Sequence, residues 1–353
     1  MGLVMLALVP ATAWGVTQYG WPALNLLLVT IGTAVAAEAF SLRAAGKPIK
    51  PVLQDGSALL TGWLLALTLP PWAPWWIGVI GAIFAIVVSK QVFGGLGQNL
   101  FNPAMVARVV LLVAFPLEMT TWVATQPLFQ PASPGFVESL SITFHGPTDA
   151  DATTGATALE HGGGKPIASE SQDEAGTGTL DIPAALLAQR YGSLGEGSAL
   201  LLTAGGLLLL LTGVIRWPIP VAMMGTLTLM ATLFHALEPA RYADAEFHLL
   251  SGGLVLGAFF IATDPVTSPV TRAGQLIFGA GCGLLTYTIR TWGGYPEGVA
   301  FSILLMNAAT PVIDYYIRPR VFGRTLSGVS MKLPDEKAAT AVKNSDAKVS
   351  IRQ

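Results

Sequence analysis

Apolar runs of membrane-crossing length, punctuated by glycine and proline, dominate this chain. A helix needs about 20 apolar residues to cross a hydrocarbon core. Runs of that order fall at roughly 2–19, 22–41, 75–93, 198–215, 218–236, 273–290 and 297–316. Shorter or broken ones fall at 57–69, 103–116 and 250–263. Backbone groups in lipid must be satisfied within the chain, and a helix does this segment by segment. The expected fold is an all-α polytopic membrane protein of about ten transmembrane or broken helices.

Charge is scarce for the same reason. Only 11% of the 353 residues are charged, against about 25% in a typical soluble domain. That excludes an ordinary soluble enzyme and a disordered chain. A formal net charge of -2 gives no basic footprint for nucleic acid. A single cysteine, Cys282, excludes a disulfide framework and a self-contained iron–sulfur or zinc-thiolate cluster. His145, His161, His235 and His248 show no metal-ligand spacing. Any redox chemistry must therefore come from an organic cofactor or from partners.

Basic residues set the expected orientation. Arg43, Lys47 and Lys50 lie in the 42–56 connection, Arg216 follows the 198–215 run, and the tail holds Arg318, Arg320, Arg324, Lys332, Lys337, Lys343, Lys348 and Arg352. All three regions are expected on the cytoplasmic side. The 117–197 connection has Lys165 and Arg190 against ten acidic residues and is expected outside. The parity agrees, with five segments before this loop and five after it. The organisation read from the chain is a first membrane repeat at 1–116, an external loop at 117–197, a second repeat at 198–317 and a cytoplasmic basic tail at 318–353. From residue 330 onward the tail reads as polar and disordered.

The halves share an order of landmarks. Leu59, Gly62, Thr68 and Pro70 fall on Leu254, Gly257, Thr263 and Pro265 at a shift of 195. Phe93-Gly94-Gly95 matches Trp292-Gly293-Gly294, and Val106-Ala107 matches Val299-Ala300. An odd number of segments per half inserts the halves in opposite senses, giving two inverted five-helix repeats. Such repeats place a site near the midplane, at interrupted helices. Carbonyls freed by the Thr68-Leu69-Pro70-Pro71 and Thr263-Asp264-Pro265 breaks must be buried in protein or line a wet cavity. Two merely kinked, packed helices are the alternative.

Asp264, Glu297, Arg108 and Glu38 are the charged candidates beside the breaks. A carboxylate at membrane depth marks a functional site by default. Asp264 is the first candidate for an ion path, since it sits in a break where the other half has Leu69. It also reads as a helix cap, or as the partner of a base on a neighbouring subunit. Glu297 and Arg290 lie near a Gly-Gly turn and are expected to reach the interface. In the external loop, Asp151-Ala152-Thr153-Thr154-Gly155-Ala156-Thr157 offers hydroxyls among small residues. By itself it is an ordinary loop or an acceptor for a covalent group.

Longer motifs carry a resemblance. Gly94-Gly95-Leu96-Gly97-Gln98-Asn99-Leu100-Phe101-Asn102-Pro103-Ala104-Met105, the run from Gly257 to Val266, the run from Gly293 to Phe301 and Asp314-Tyr315-Tyr316-Ile317-Arg318-Pro319-Arg320-Val321 resemble the signatures of the D subunit of the Rnf electron-transport complex. The sodium-pumping NADH:quinone reductase B subunit is similar in architecture. The resemblance covers about residues 2–324. It implies FMN joined through its phosphate to a threonine in a D-x-x-[ST]-x-A-T motif. Asp151, Thr154, Ala156 and Thr157 fill that pattern here, so Thr157 is the implied attachment residue. It also implies a flavin transferase outside the cytoplasmic membrane, other Rnf subunits as partners, and electron flow between a ferredoxin-type carrier and NAD(H) coupled to ion movement. A second, non-covalent flavin such as riboflavin is compatible with it. Members of that family carry a polar segment ahead of the first span, whereas Met1 here lies inside it. Further residues are therefore expected upstream in the full-length protein. The tail beyond about residue 325 is longer than the family's.

The expected function is thus that of an inner-membrane subunit of an ion-translocating electron-transfer complex. The chain has no G-x-G-x-x-G strand–turn–helix unit and no cluster ligands, so it is expected to be inactive alone. The competing reading is a small-solute channel or carrier of urea-transporter-like inverted-repeat architecture. The Thr157 motif discriminates, because a solute carrier has no use for it.

Overall fold

The structure, a computed structural model, describes residues 1–128, 130, 133–146, 192–239, 241–293 and 297–319. Among these the regular structure is helical. The runs expected at 2–19 and 22–41 form α1 (Gly2–Ala44), interrupted at Gly20. Gly20 has φ 74° and ψ -162°, a backbone conformation that disfavours a side chain, and Pro22 removes the next but one N–H. The carbonyl of Tyr19, released by this kink, accepts from Trp72 Nε1 at 2.9 Å.

After α2 (Ile49–Leu53), α3 (Ser57–Thr68) ends at the first break. α4 (Trp75–Ile83) runs on as a π-helical stretch, Phe84–Gln91. A glycine-rich turn follows, in which Gly94, Gly95 and Gly97 all have positive φ. It leads into α5 (Pro103–Ala114), where the Asn102 side chain accepts from the N–H groups of Ala104 and Met105 and Pro103 occupies the first turn. The 117–197 connection, expected as a plain loop, holds helical structure at both ends. There α6 (Pro116–Thr120), α7 (Phe136–His145) and a 3₁₀ turn (Leu194–Glu196) pack on the bundle.

The second half begins with α8 (Ala199–Leu211) and α9 (Pro218–Leu237). The run expected at 250–263 is split into α10 (Ala245–Leu250) and α11 (Leu254–Leu256), and α11 continues as a π-helical stretch, Gly257–Ile261. Past the second break lie α12 (Arg272–Trp292) and α13 (Val299–Tyr316). Short helix, break and longer helix therefore occur in the same order on both sides of the 117–197 connection, each followed by a further helix.

α1, α9 and α13 are long and apolar enough to cross a membrane, and α3, α4 with its π-helical extension, α5 and α8 are shorter apolar helices. Outward positions are themselves apolar: Phe40, Leu211, Leu229 and Leu237 are exposed. That is the surface of a helix bundle solvated by hydrocarbon or by partner subunits. Between helices, small residues permit close approach. A Cβ added at Gly279 would lie 2.6 Å from the Ile219 carbonyl oxygen, and one at Gly283 would lie 2.3 Å from that of Met223. These two glycines, one turn apart, seat α12 against α9.

Candidate functional site

Both helix breaks pack against protein groups. At the first, Leu69 O faces Leu194 N at 3.5 Å, and Gly195 approaches the Leu67 carbonyl so closely that a Cβ would lie 2.7 Å away. At the second, Thr310 Oγ1 donates to Thr267 O, Gln275 Nε2 to Pro269 O and Arg216 Nη1 to Val270 O, at 3.0, 3.0 and 3.2 Å. Asn307, with its amide oriented as its neighbours require, donates to Thr267 O at 3.2 Å and accepts from Asn102 N at 3.1 Å. It thus ties the second break to the start of α5 in the other half.

Between these elements lies a cavity of about 230 Å³. Its polar lining comes from Ser57, Thr61, Lys90, Asn99, Asn102, Thr263 and Asp264, and its apolar wall includes Leu64, Phe259 and Phe260. Lys90 belongs to one π-helical stretch, and Phe259 and Phe260 to the other. A π-helical turn inserts a residue and re-aims side chains, which is why it recurs at functional sites.

Asp264 is half-buried on this cavity. Its Oδ1 accepts from Val266 N at 3.2 Å and its Oδ2 from Thr267 Oγ1 at 3.3 Å. It therefore caps the broken backbone while facing the cavity. Among the described residues no basic side chain forms an ion pair with it.

Glu38 is fully buried and paired. Lys90 Nζ donates to Glu38 Oε1 and to Ser57 Oγ, each at 2.6 Å, and Gln91 Nε2 donates to the same Glu38 oxygen at 2.9 Å. The π-helical stretch turns both Lys90 and Gln91 inward. The sequence reading passed over Lys90, although a lone cation inside an apolar run signals a buried partner.

Arg108 and Glu297 form a second buried ion pair, bridging α5 and the start of α13. The expectation that Glu297 and Arg290 reach the interface is corrected: they are only 9% and 3% exposed. Arg290 Nη1 donates to His248 O at 2.7 Å and Nη2 to Ser251 O at 3.0 Å. These carbonyls end α10, where a cation complements the helix dipole. Glu196, in the 3₁₀ turn before α8, accepts from Ser193 Oγ at 2.7 Å.

Asp151, Thr154, Ala156 and Thr157 lie outside the described residues, as do the basic tail from Arg320 onward and Gly294, Tyr295 and Pro296 of the Gly-Gly motif. The 117–197 connection is described at both ends. Gly146 is buried against Pro74, just past the first break, and Gly192 is buried two residues before Leu194, which meets Leu69. Both ends therefore emerge beside the same helix break. Among the described residues no His, Cys, Asp and Glu group is arranged to hold a metal ion.

A helical bundle with two interrupted helices facing a partly polar cavity, charged groups buried in pairs and an apolar outer surface defines an integral membrane protein. The NQR2, RnfD, RnfE family profile matches residues 1–323, and the chain belongs to that family. It is 56% identical over 336 residues to a protein of Halorhodospira halophila, covering 95% of this chain and 94% of the relative. A relative from Stutzerimonas stutzeri is 53% identical over 325 residues, 92% of each chain. One from Rhodobacter capsulatus is 50% identical over 286 residues, 81% of this chain and 79% of the relative. All three are named as the D subunit of an ion-translocating oxidoreductase complex.

Proposed function

We propose that this chain is the multi-pass membrane subunit of a bacterial ion-translocating electron-transfer complex and that it carries FMN covalently on Thr157. Relatedness along nearly the whole chain to proteins named as the D subunit of such a complex carries the first part. The Asp151, Thr154, Ala156, Thr157 pattern supports the second. Other subunits of the complex and a flavin transferase are its partners. Electrons pass between a ferredoxin-type carrier and NAD(H).

Ten transmembrane or broken segments in two inverted repeats account for the recurring element order and for an interrupted helix in each half that lines one cavity. The bundle lies in the cytoplasmic membrane, with the flavin loop periplasmic and the C-terminus cytoplasmic, as the basic connections indicate. FMN supplies one- and two-electron transfer when bound. The chain's own contribution is position and charge. The described ends of the loop, Gly146 and Gly192, are buried near the first break, and Asp264 presents a carboxylate to the cavity through which a cation passes. The wall of Phe259 and Phe260 also suits a flat ring such as riboflavin. A solute carrier shares the broken helices but leaves the threonine motif without a role.

Ultraviolet illumination of a denaturing gel tests the reading. Protein from cells holding the transferase is expected to fluoresce, and Thr157→Ala to be dark. A flavin adduct on another peptide, or none, overturns the attachment.

A further inference from the structure

Among the described side chains that line the cavity, Lys90 and Asp264 are the charged ones. They are balanced differently. Lys90 is answered from behind: Glu38 is fully buried, lies off the cavity lining and accepts from Lys90 Nζ at 2.6 Å. Asp264 has no ion-pair partner among the described residues, and its oxygens accept from the neutral donors Val266 N and Thr267 Oγ1. With both carboxylates ionised and the ammonium protonated, these side chains carry one unbalanced negative charge, and it belongs to Asp264.

The neutral lining suits a cation. Thr61 Oγ1 donates to Ser57 O at 2.8 Å and Thr263 Oγ1 to Phe259 O at 2.7 Å. A hydroxyl whose proton is spent on the backbone keeps its acceptor lone pairs. Asn99 Nδ2 donates to Phe101 O at 3.0 Å, which leaves Oδ1 as an acceptor. Oxygen acceptors are the ligands that hard cations take. Charge then decides between them. A monovalent ion beside Asp264 brings the local charge to zero. A divalent ion leaves a positive charge in the interior, which is costly unless paired. Calcium sites rely on several carboxylates, and the second carboxylate here is already held by Lys90 and Gln91.

We propose that the Lys90–Glu38 pair is the specificity determinant of this cavity: by cancelling its own charge it leaves Asp264 with room for a single monovalent cation and excludes divalent ones. This rests on the reading of Asp264 as an ion-path residue. Lys90 and Glu38 are positioning residues in it, since they act through the charge they leave to Asp264.

The test is the thermal midpoint of the purified complex in sodium chloride and in calcium chloride, each against choline chloride at equal ionic strength. A cation that binds the folded state raises the midpoint, and Asp264→Asn is the blank. The wild type is expected to show an Asp264-dependent rise with sodium and none with calcium. Lys90→Met adds a second unbalanced negative charge, so a rise with calcium should appear. Glu38→Gln leaves none, so the rise with sodium should vanish. Damaged packing alone would weaken the response in both variants and create none. No Asp264-dependent rise with sodium in the wild type overturns the ion-path reading itself, and this inference with it. With that rise present, a Lys90→Met complex without the calcium response, or a Glu38→Gln complex that keeps the sodium response, overturns the role of the pair and leaves Asp264 in the path. Should a single variant fail to assemble, Lys90→Met combined with Glu38→Leu decides, because it restores one unbalanced charge. A response to sodium alone supports the pair's role, and a lost sodium response or a gained calcium response overturns it.

Discussion

Lys90 Nζ lies 2.6 Å from Glu38 Oε1, with the two residues 2% and 0% exposed. An ammonium with so little access to water is tolerated only because Ser57 Oγ and the Glu38 carboxylate accept its hydrogen bonds, and Gln91 Nε2 donates to the same carboxylate. The pair joins α1 to the π-helical end of α4, and its Lys90 lines the cavity that Asp264 also lines. Fixed charge of both signs therefore borders the same space.

Breaking that pair on one side is expected to be costly. Lys90→Met leaves an uncompensated buried carboxylate, and loss of one partner of a buried pair costs about 3–5 kcal/mol. A lower thermal midpoint of the detergent-solubilised complex is the measurement. Lys90→Met combined with Glu38→Leu removes both charges and should recover most of the loss. Equal damage in the single and double variants would show that the pair does not set stability.

Asp264→Asn keeps the side-chain oxygen that caps Val266 N while removing the charge facing the cavity. Assembly and flavin content should be unchanged, and ion uptake per electron should fall. Uptake into proteoliposomes is compared with the electron-transfer rate in the presence of an uncoupler. Unchanged uptake per electron removes Asp264 from the path, and lost assembly leaves only its capping role.

The α9–α12 contact makes a packing prediction. Gly283→Val places methyl groups against the Met223 carbonyl, already 2.3 Å from where a Cβ would sit. Overpacking of this kind costs about 1–3 kcal/mol, read as reduced assembly in the membrane. Gly225, on the same helix pair, has no atom within 4 Å of its Cβ position. Gly225→Ala should be neutral or mildly stabilising, because alanine favours the helix. If both substitutions behave alike, close glycine packing is not what joins the helices.

Topology is open to direct measurement. Reporters fused after Lys50, Arg216 and Arg320 should report the cytoplasm, and one inserted at Gly163 the opposite side. A cytoplasmic Gly163 would remove the ground for external flavin attachment and for the opposed halves.

The sequence by itself determined the helical class, the two proline breaks, the Gly94-Gly95 turn and the family. Each of these is written in neighbouring residues: twenty apolar positions, Thr68-Leu69-Pro70, Gly94-Gly95, Asn102-Pro103. The kink at Gly20 was also legible, as a gap between two apolar runs with Pro22 behind it. Asp264 stood out for the same reason, a carboxylate inside a local break. Only tertiary structure decided how the charges meet. Arg108 and Glu297 are 189 residues apart, and Lys90 and Glu38 are 52 apart. Such pairings depend on which helix faces pack together, and a nearly uniform apolar sequence leaves those faces unmarked. The two π-helical stretches were hidden likewise, because a change of helical period is fixed by what the re-aimed side chains find. Glu297 and Arg290 read as interfacial beside their glycine turn. The packed bundle turned them inward, where Arg108 and the carbonyls ending α10 supply the opposite charge they need.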